Sequence, residues 1–445
     1  MKSIDESAKT SRRDFVKQST LLAGGLLAAP LMSKAGYFHS VDDTIKIALV
    51  GCGGRGTGAA MQALLTKQNV KLVAMADAFR DRLDDCYKLL SDPNNEEGNV
   101  SAKVSVPDDA KFVGFDAYTK AIALADVVIL TTPPGFRPIH FAEAIRAGKH
   151  VFMEKPIATD PAGVKSVIET AQLAKAKKLN VVVGLQRHYQ NSYRELYKRV
   201  KDGAIGEITS GQVWWNNDGV WVKMREPSQT EMEYQMRNWY YFNWLCGDHI
   251  NEQHIHNIDV MNWFKGAYPV KAQGMGGRQV RTGKEYGEIY DHHFVEFHYA
   301  DGTILNSQCR HQKGTYAIVD EMLVGTKGVV KCADAQIIKK GKVSYQYDKK
   351  LENNPYQTEH DELFAAIAKG EFKFEDADRV ARSTMTSILG RMATYSGEVV
   401  EWDKALNSGI SLMPTRFAWD ATPPTLPDAN GFYPIAIPGT TKFFS

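Results

Sequence analysis

The 445-residue chain predicts an α/β fold: a parallel-sheet domain first, then a second α/β domain with a large, mainly antiparallel open sheet. Three observations carry this reading. Short apolar runs alternate with helix-period segments from Ile45 to Leu185, the pattern of parallel strands joined by helices. The first of those runs ends in the glycine turn Gly51, Cys52, Gly53, Gly54, Arg55, Gly56. Beyond residue 200 the runs follow one another through short turns such as Asp301-Gly302, as in an antiparallel meander.

Taken in order, Ile45 to Val50 reads as a strand whose glycine turn opens a helix. Strand, turn and helix N-terminus leave backbone N–H groups convergent on an anion, which suits a dinucleotide pyrophosphate and makes residues 44–188 a Rossmann-type domain. Gly51 allows the turn, Gly53 the approach of the pyrophosphate and Gly56 close helix–strand packing; Cys52, Gly54 and Arg55 complete the expected contacts. The second run closes on Asp77. Its carboxylate can accept from both adenosine ribose hydroxyls and would repel a ribose phosphate, which favours NAD over NADP. Arg55 and Arg82 could each reach such a phosphate, so NADP stays open.

The run Ala125 to Leu130 is a further strand, bounded by Thr131, Thr132, Pro133 and Pro134. Strand ends in an open α/β sheet face the ligand crevice, so Thr131, Pro133 and Pro134 are expected to border the nicotinamide, with His140 on the following helix; an ordinary corner is the alternative. Strand His150 to Phe152 ends in Met153, Glu154, Lys155 and Pro156. Asp160 caps the next helix, with Pro161 at its first position. Val181 to Leu185 closes the domain, leaving Arg187 either to reach cofactor or a polyhydroxyl substrate or to pair with a local acid.

Residues 189–406 form the second domain, with strands at Ile205 to Trp215, Tyr290 to Tyr299, Thr303 to His311, Ala317 to Val324, Gly328 to Cys332 and Ala335 to Ile338. Helices are expected at 192–200, 359–368 and 376–392. An open sheet needs cover, and self-association into a homodimer or homotetramer supplies it. Residues 407–445, rich in proline and aromatics, are expected to wrap over a neighbouring surface.

With 43% of residues hydrophobic, 24% charged and a net charge of +2, the composition is that of a chain with a substantial core. No basic stripe with interleaved aromatics and no zinc-finger spacing points to nucleic acid. Residues 1–35, with Ser11, Arg12, Arg13, Asp14, Phe15, Val16 and Lys17 before the apolar run Leu21 to Ala29, resemble a twin-arginine export signal. Removing them takes away six Lys/Arg and three Asp/Glu and leaves a net charge of −1. A periplasmic or other extracytoplasmic address follows, and a cofactor loaded before export would have to stay bound. No 18-residue apolar run suggests a membrane span. The five cysteines, Cys52, Cys86, Cys246, Cys309 and Cys332, show no CxxC and are expected as buried thiols.

GCGGRG at Gly51 to Gly56, Asp77, TTPP at Thr131 to Pro134, MEKPIATD at Met153 to Asp160 and HNID at His256 to Asp259 together resemble the Gfo/Idh/MocA oxidoreductase family. The resemblance covers Ile45 to Leu406, and Glu154-Lys155-Pro156 is its most specific part. It implies sugar-like substrates, a nicotinamide cofactor and frequent oligomers. Lys155, at a strand end beside the nicotinamide, can hydrogen-bond the reacting oxygen and stabilise a developing alkoxide. Glu154 can orient it or hold the nicotinamide ribose. His256 maps to the family's acid/base residue, suited by an ordinary pKa of about 6.5 to exchange the hydroxyl proton. Glu252, where the family commonly has aspartate, and Asp259 are the two candidates to orient its imidazole. Glu252, His256 and Asp259 are expected to share one helix face.

His254 stands where the family usually has glycine, and the dense set His249, Glu252, His254 and His256 raises a metal reading, although hydride-transfer members need none. Trp214, Trp215, Trp221, Trp239, Tyr240, Tyr241 and Trp244 suggest a pyranose cleft, with Asn216, Asn217, Arg237 and Asn243 as polar partners. The leading expectation is an exported NAD-dependent oxidoreductase acting on a sugar, glycoside or inositol. Two alternatives stand beside it: NAD-assisted glycoside hydrolysis or elimination through a transient keto-sugar, and a non-enzymatic sugar sensor.

Overall fold

Six short, almost wholly apolar strands in the first part of the chain form one parallel sheet: β1 (Ile45–Val50), β2 (Val70–Asp77), β3 (Lys111–Val113), β4 (Val127–Leu130), β5 (His150–Met153) and β6 (Val181–Val183), in the order 3-2-1-4-5-6. That order reverses direction between β1 and β4, so the crevice above their carboxyl ends is the natural ligand site. This computed structural model describes residues 44–444. The export signal read in residues 1–35 lies outside the described residues.

The second sheet has nine strands in the order 14-13-12-11-7-10-9-8-15. They are β7 (Ile208–Asn217), β8 (Lys271–Gly277), β9 (His292–His298), β10 (Ile304–His311), β11 (Ile318–Gly325), β12 (Gly328–Lys331), β13 (Gln336–Lys339), β14 (Lys342–Gln346) and β15 (Val400–Glu401). Every neighbouring pair is antiparallel except β7 with β10, which run parallel. Alternation sorts the faces: Leu305, Ser307, Cys309 and His311 on β10 are buried, while the residues between them are partly exposed. Strand β8 escapes the sequence reading because three of its seven residues are glycine.

The split at residue 188 is not clean in space. Helices Pro355–Ala368 and Asp376–Ser396 come from the far end of the chain, yet both pack on the parallel-sheet domain, and the second packs on the nine-stranded sheet as well. Val181 N donates to Phe374 O, which carries the first sheet's edge into this returning segment. Among the described residues the tail has no helix or strand beyond Leu406 and instead lies along its own chain. Leu412 N donates to Asp160 Oδ2 at 2.7 Å, Thr230 Oγ1 to Trp419 O at 2.7 Å, and Gln235 Nε2 to Thr425 O at 2.8 Å.

Two glycines of the first turn are fixed by space. Gly51 sits at φ +99°, and a Cβ there would meet Thr132 N at 2.5 Å; a Cβ on Gly56 would lie 1.9 Å from Gly51 O. Gly58, two residues further along helix Gly54–Leu65, would meet nothing closer than 3.5 Å. Gly56→Ala is therefore expected to cost about 2–4 kcal/mol by denaturant unfolding, while Gly58→Ala stays within about 1 kcal/mol of the parent. Equal stability of the two variants would contradict this packing.

Candidate active site

The cleft above β1 and β4 has a volume of about 530 Å³ and is lined by Gly51, Gly53, Asp77, Arg82, Thr131 and Pro133, among others. Helix Gly54–Leu65 begins at it with no side-chain cap, and a Cβ on Gly53 or Gly54 would meet nothing within 4 Å. That leaves open backbone N–H groups and room for a pyrophosphate. Asp77 is fixed at the rim: Oδ2 accepts from Cys52 N at 2.6 Å and Oδ1 from Phe79 N at 2.8 Å. Each carboxylate oxygen keeps a lone pair for a ribose hydroxyl. Burial raises its pKa. The residues present fit a dinucleotide.

Other members of the expected cofactor set contribute indirectly. The Cys52 side chain points away from the cleft, its Sγ 3.5 Å from Ala76 O. Thr131 Oγ1 donates to Gly51 O at 2.6 Å and so braces the glycine turn. His140 lines the cleft with its Nδ1 3.1 Å from Thr132 Oγ1, and burial holds its pKa down at about 3. Pro134 is buried at the start of a short turn. Arg55 does not reach toward a ribose phosphate: Nε donates to Glu154 Oε1 at 2.5 Å and NH2 approaches Glu359 Oε1 at 3.4 Å. Arg187 pairs with Glu321, which also accepts from Tyr193 OH at 2.8 Å and Asn257 Nδ2 at 2.7 Å. The local-acid alternative therefore describes Arg187.

At the end of β5, Lys155 Nζ donates to Glu252 O at 2.7 Å and to Glu252 Oε1 at 3.0 Å, with both side chains 13% exposed. Two of three ammonium donors are used, and the third is available to a ligand oxygen. His256 packs against Trp215 with ring centroids 5.7 Å apart and planes 22° from parallel. Its pKa falls well below the ordinary histidine value, through burial first and then the positive charges of Lys155, Arg187 and Arg55. The imidazole is a neutral base held in reach of that cationic field.

The single helix face expected for Glu252, His256 and Asp259 is not formed. Asp248 starts a short helix, His249–Glu252; the chain breaks at Gln253 and His254, and a second helix runs Ile255–Lys265. Glu252 is thus free to turn toward Lys155. Asp259 points elsewhere and is bound by His188 Nε2 at 2.6 Å and Ser383 Oγ at 2.7 Å, with Arg379 at 3.4 Å. Neither carboxylate orients His256, whose Nδ1 has no hydrogen-bond partner among the described residues.

The expected metal set does not gather either. Glu252 is taken by Lys155, His254 Nε2 meets Ser307 Oγ at 2.8 Å, and His256 lies on Trp215. Among the described residues the group with metal-ligand spacing is Asp248, His249 and His293. Sequence reading missed Asp248 and His293, although Gly247-Asp248-His249 and Asp291-His292-His293 each place an acid beside histidine.

The aromatics divide by strand register. Trp215 pairs with Cys309 and faces inward, whereas Trp214 pairs with Gln308 on the open face. Trp221 and Trp239 line the nucleotide cleft, and Tyr241 and Trp244 are core. Arg237 pairs twice with Asp81, at 2.7 and 2.9 Å, and covers the Phe79 ring at 3.7 Å. Asn243 is likewise taken up locally, by Tyr395 and Glu288. The tail adds Trp419, 4.6 Å from Phe115 and 5.0 Å from Phe79, and Phe417, 5.4 Å from Phe136. Phe79, Phe115 and Phe136 all line the cleft, so the tail backs its wall.

Residues 45–185 match the oxidoreductase family model described as an NAD-binding Rossmann fold, and residues 193–331 match the GFO/IDH/MocA C-terminal domain. The chain is 28% identical over 238 residues to an inositol 2-dehydrogenase of Acidiphilium cryptum, covering 54% of this chain and 59% of that protein. It is 26% identical to 2,7-anhydro-N-acetylneuraminate hydratase of Escherichia coli, covering 47% of this chain and 51% of the relative. It thus spans little more than half the length of either. Among solved structures, the scyllo-inositol dehydrogenase of Lactobacillus casei with bound NAD(H) and scyllo-inositol superposes with a TM-score of 0.60 at 20% identity, covering 81% of this chain and all of that one.

Asp259→Asn separates support from chemistry. Weakening a buried charge pair is expected to lower stability by about 2–4 kcal/mol in denaturant unfolding, with the pH dependence of turnover unchanged. A changed pH profile with unchanged stability would instead put Asp259 in the proton path.

Proposed function

Because the chain belongs to the Gfo/Idh/MocA oxidoreductase family, we propose that it is an exported enzyme acting with tightly held NAD on a hydroxyl-bearing carbon of a sugar, glycoside or inositol. NAD, when bound, supplies the hydride acceptor or donor. The observation that carries the reading is the Lys155–Glu252 pair beside the end of β5, whose ammonium charge reaches the neutral His256. In the oxidation direction His256 takes the hydroxyl proton, while the free N–H of Lys155 holds the oxygen and stabilises its growing negative charge. In reduction His256 returns the proton to the oxygen, while the Lys155 N–H donates to that oxygen as before. Glu252 keeps the ammonium aimed, and Asp77 receives the adenosine ribose.

Supporting retention of the cofactor, Trp419 and Phe417 back three cleft-lining rings, and the Arg237–Asp81 pair braces the cleft's outer rim. Arg12-Arg13 with the following apolar run supports export. Self-association is supported by the open sheet face, where Trp214, Gln308, Phe294 and Met275 align across four strands and Met275 is 70% exposed. Light scattering on purified protein should give a dimer or larger; a monomer at micromolar concentration would remove that part. The hydratase relative favours keeping a second reading, in which a transient keto-sugar is eliminated or hydrated without net redox.

Purified protein incubated with a panel of sugars, glycosides and inositols, followed by nicotinamide absorbance and product analysis, tests the proposal. Net oxidised product supports the oxidoreductase, cleavage or hydration without net redox supports the second reading, and binding without turnover supports a sensor. Lys155→Met and His256→Ala should each lower kcat by about 10²–10⁴-fold. The depressed pKa of His256 keeps its base form present well below pH 6.5, so the acid limb of kcat/KM in oxidation should lie under the ordinary histidine range. A limb centred on 6.5 would take His256 out of the role.

A further inference from the structure

Asp248 holds a backbone conformation, φ 70° and ψ 163°, that is almost confined to glycine. Its side chain is fully buried, as are those of His249 and His293 beside it. Such strain persists only where surrounding contacts enforce it, and here the contacts converge on one carboxylate. Oδ1 accepts from His249 N at 2.5 Å and from His249 Nδ1 at 2.8 Å. Oδ2 accepts from Tyr290 N at 3.0 Å and from Tyr395 OH at 2.5 Å. Four donors already account for the four lone-pair positions of a carboxylate.

His293 then has no place as a fifth donor, yet its Nε2 lies 3.3 Å from Asp248 Oδ2 without the angle of a hydrogen bond. Thr394 Oγ1 has the helix carbonyls of Gly390 and Arg391 at 3.1 and 3.0 Å as acceptors for its proton, and in that arrangement it accepts from His293 Nδ1–H at 2.9 Å. In a neutral ring that leaves a bare lone pair on Nε2 facing a carboxylate in a dry interior. The Nε2 of His249 is also buried and without a partner. Both nitrogens thus lie buried beside one carboxylate, an arrangement that a bound cation would satisfy.

We propose that Asp248, His249 and His293 form a binding site for one divalent ion of the zinc class. Their ligand atoms lie within 4.8 Å of one another, close enough for small side-chain shifts to gather them on one ion at about 2.0–2.2 Å. Two imidazoles and one carboxylate suit zinc, or a similar first-row ion, over magnesium or calcium. Binding displaces the proton on His249 Nδ1 to solvent, which frees that nitrogen and the Asp248 Oδ1 lone pair it occupied for the ion, while the Thr394 contact leaves His293 to bind through Nε2. The ion ties helix His249–Glu252 to β9 and, through Tyr395 and Thr394, to helix Asp376–Ser396. It acts on the segment that carries Glu252 rather than on the reacting carbon, so the site does not depend on which substrate is turned over.

The full chain, purified without a polyhistidine tag, is assayed for metal by elemental mass spectrometry before and after chelator treatment, then titrated with zinc. About one zinc per chain is expected, and returning zinc to the chelated protein should raise Tm by about 5 °C or more. Cobalt in place of zinc should give visible absorption bands. Asp248→Asn and His293→Ala should each reduce bound zinc about tenfold or more, while His298→Gln, on the same strand but outside the group, retains it. Wild-type protein that takes up neither zinc nor cobalt, with Tm unmoved, would overturn the site without recourse to any variant. Unchanged zinc content in Asp248→Asn and His293→Ala would overturn it equally, by placing the metal elsewhere.

Discussion

One ammonium holds the two halves of this protein in register. Lys155 ends a strand of the parallel sheet, and its two bonds to Glu252 reach into the segment that carries His256. Because the pair is nearly excluded from water, breaking it on one side leaves an uncompensated charge, a loss of about 3–5 kcal/mol in buried pairs. The contact to the Glu252 backbone oxygen matters as much as the ion pair, since it fixes the position of the main chain and not only of a side chain. The helix break at Gln253 and His254 makes this possible: an unbroken helix would hold Glu252 on the same side as His256.

The charges around the site are kept apart by a second set of constraints. Asp259 is occupied by His188, Ser383 and Arg379, and Glu321 by Arg187, Tyr193 and Asn257. Arg55 lies between Glu154 and Glu359. Apart from Glu252, which pairs with Lys155 itself, each of these carboxylates has a cation or hydroxyl of its own. His256 therefore feels burial and positive charge with no acid against its ring, which is why its proton is weakly held.

Much of the fold was legible because its signals are local. The glycine turn, the apolar runs and the Asp160-Pro161 helix start need only neighbours in sequence, and the structure has Asp160 capping through Gly163 N. Lys155 and Asp77 were legible for the same reason, each sitting at the end of a recognisable strand. What escaped depends on partners far along the chain. Nothing near Asp259 signals that His188 and Ser383 will claim it, and nothing near Arg187 points to Glu321, 134 residues away. Strand β8 was hidden by its glycines. The break after Glu252 was hidden because Gln253 and His254 are acceptable helix residues, so only the tertiary pull on Glu252 and His254 reveals it.

The tail gives the cleft a history as well as a shape. Phe79, Phe115 and Phe136 belong to the early part of the chain, whereas Phe417 and Trp419, which pack behind them, belong to its last stretch. A ribosome delivers them in that order, so the wall exists for a time without its backing. Synthesis of residues 417–419 is then the step that gives the three rings their backing.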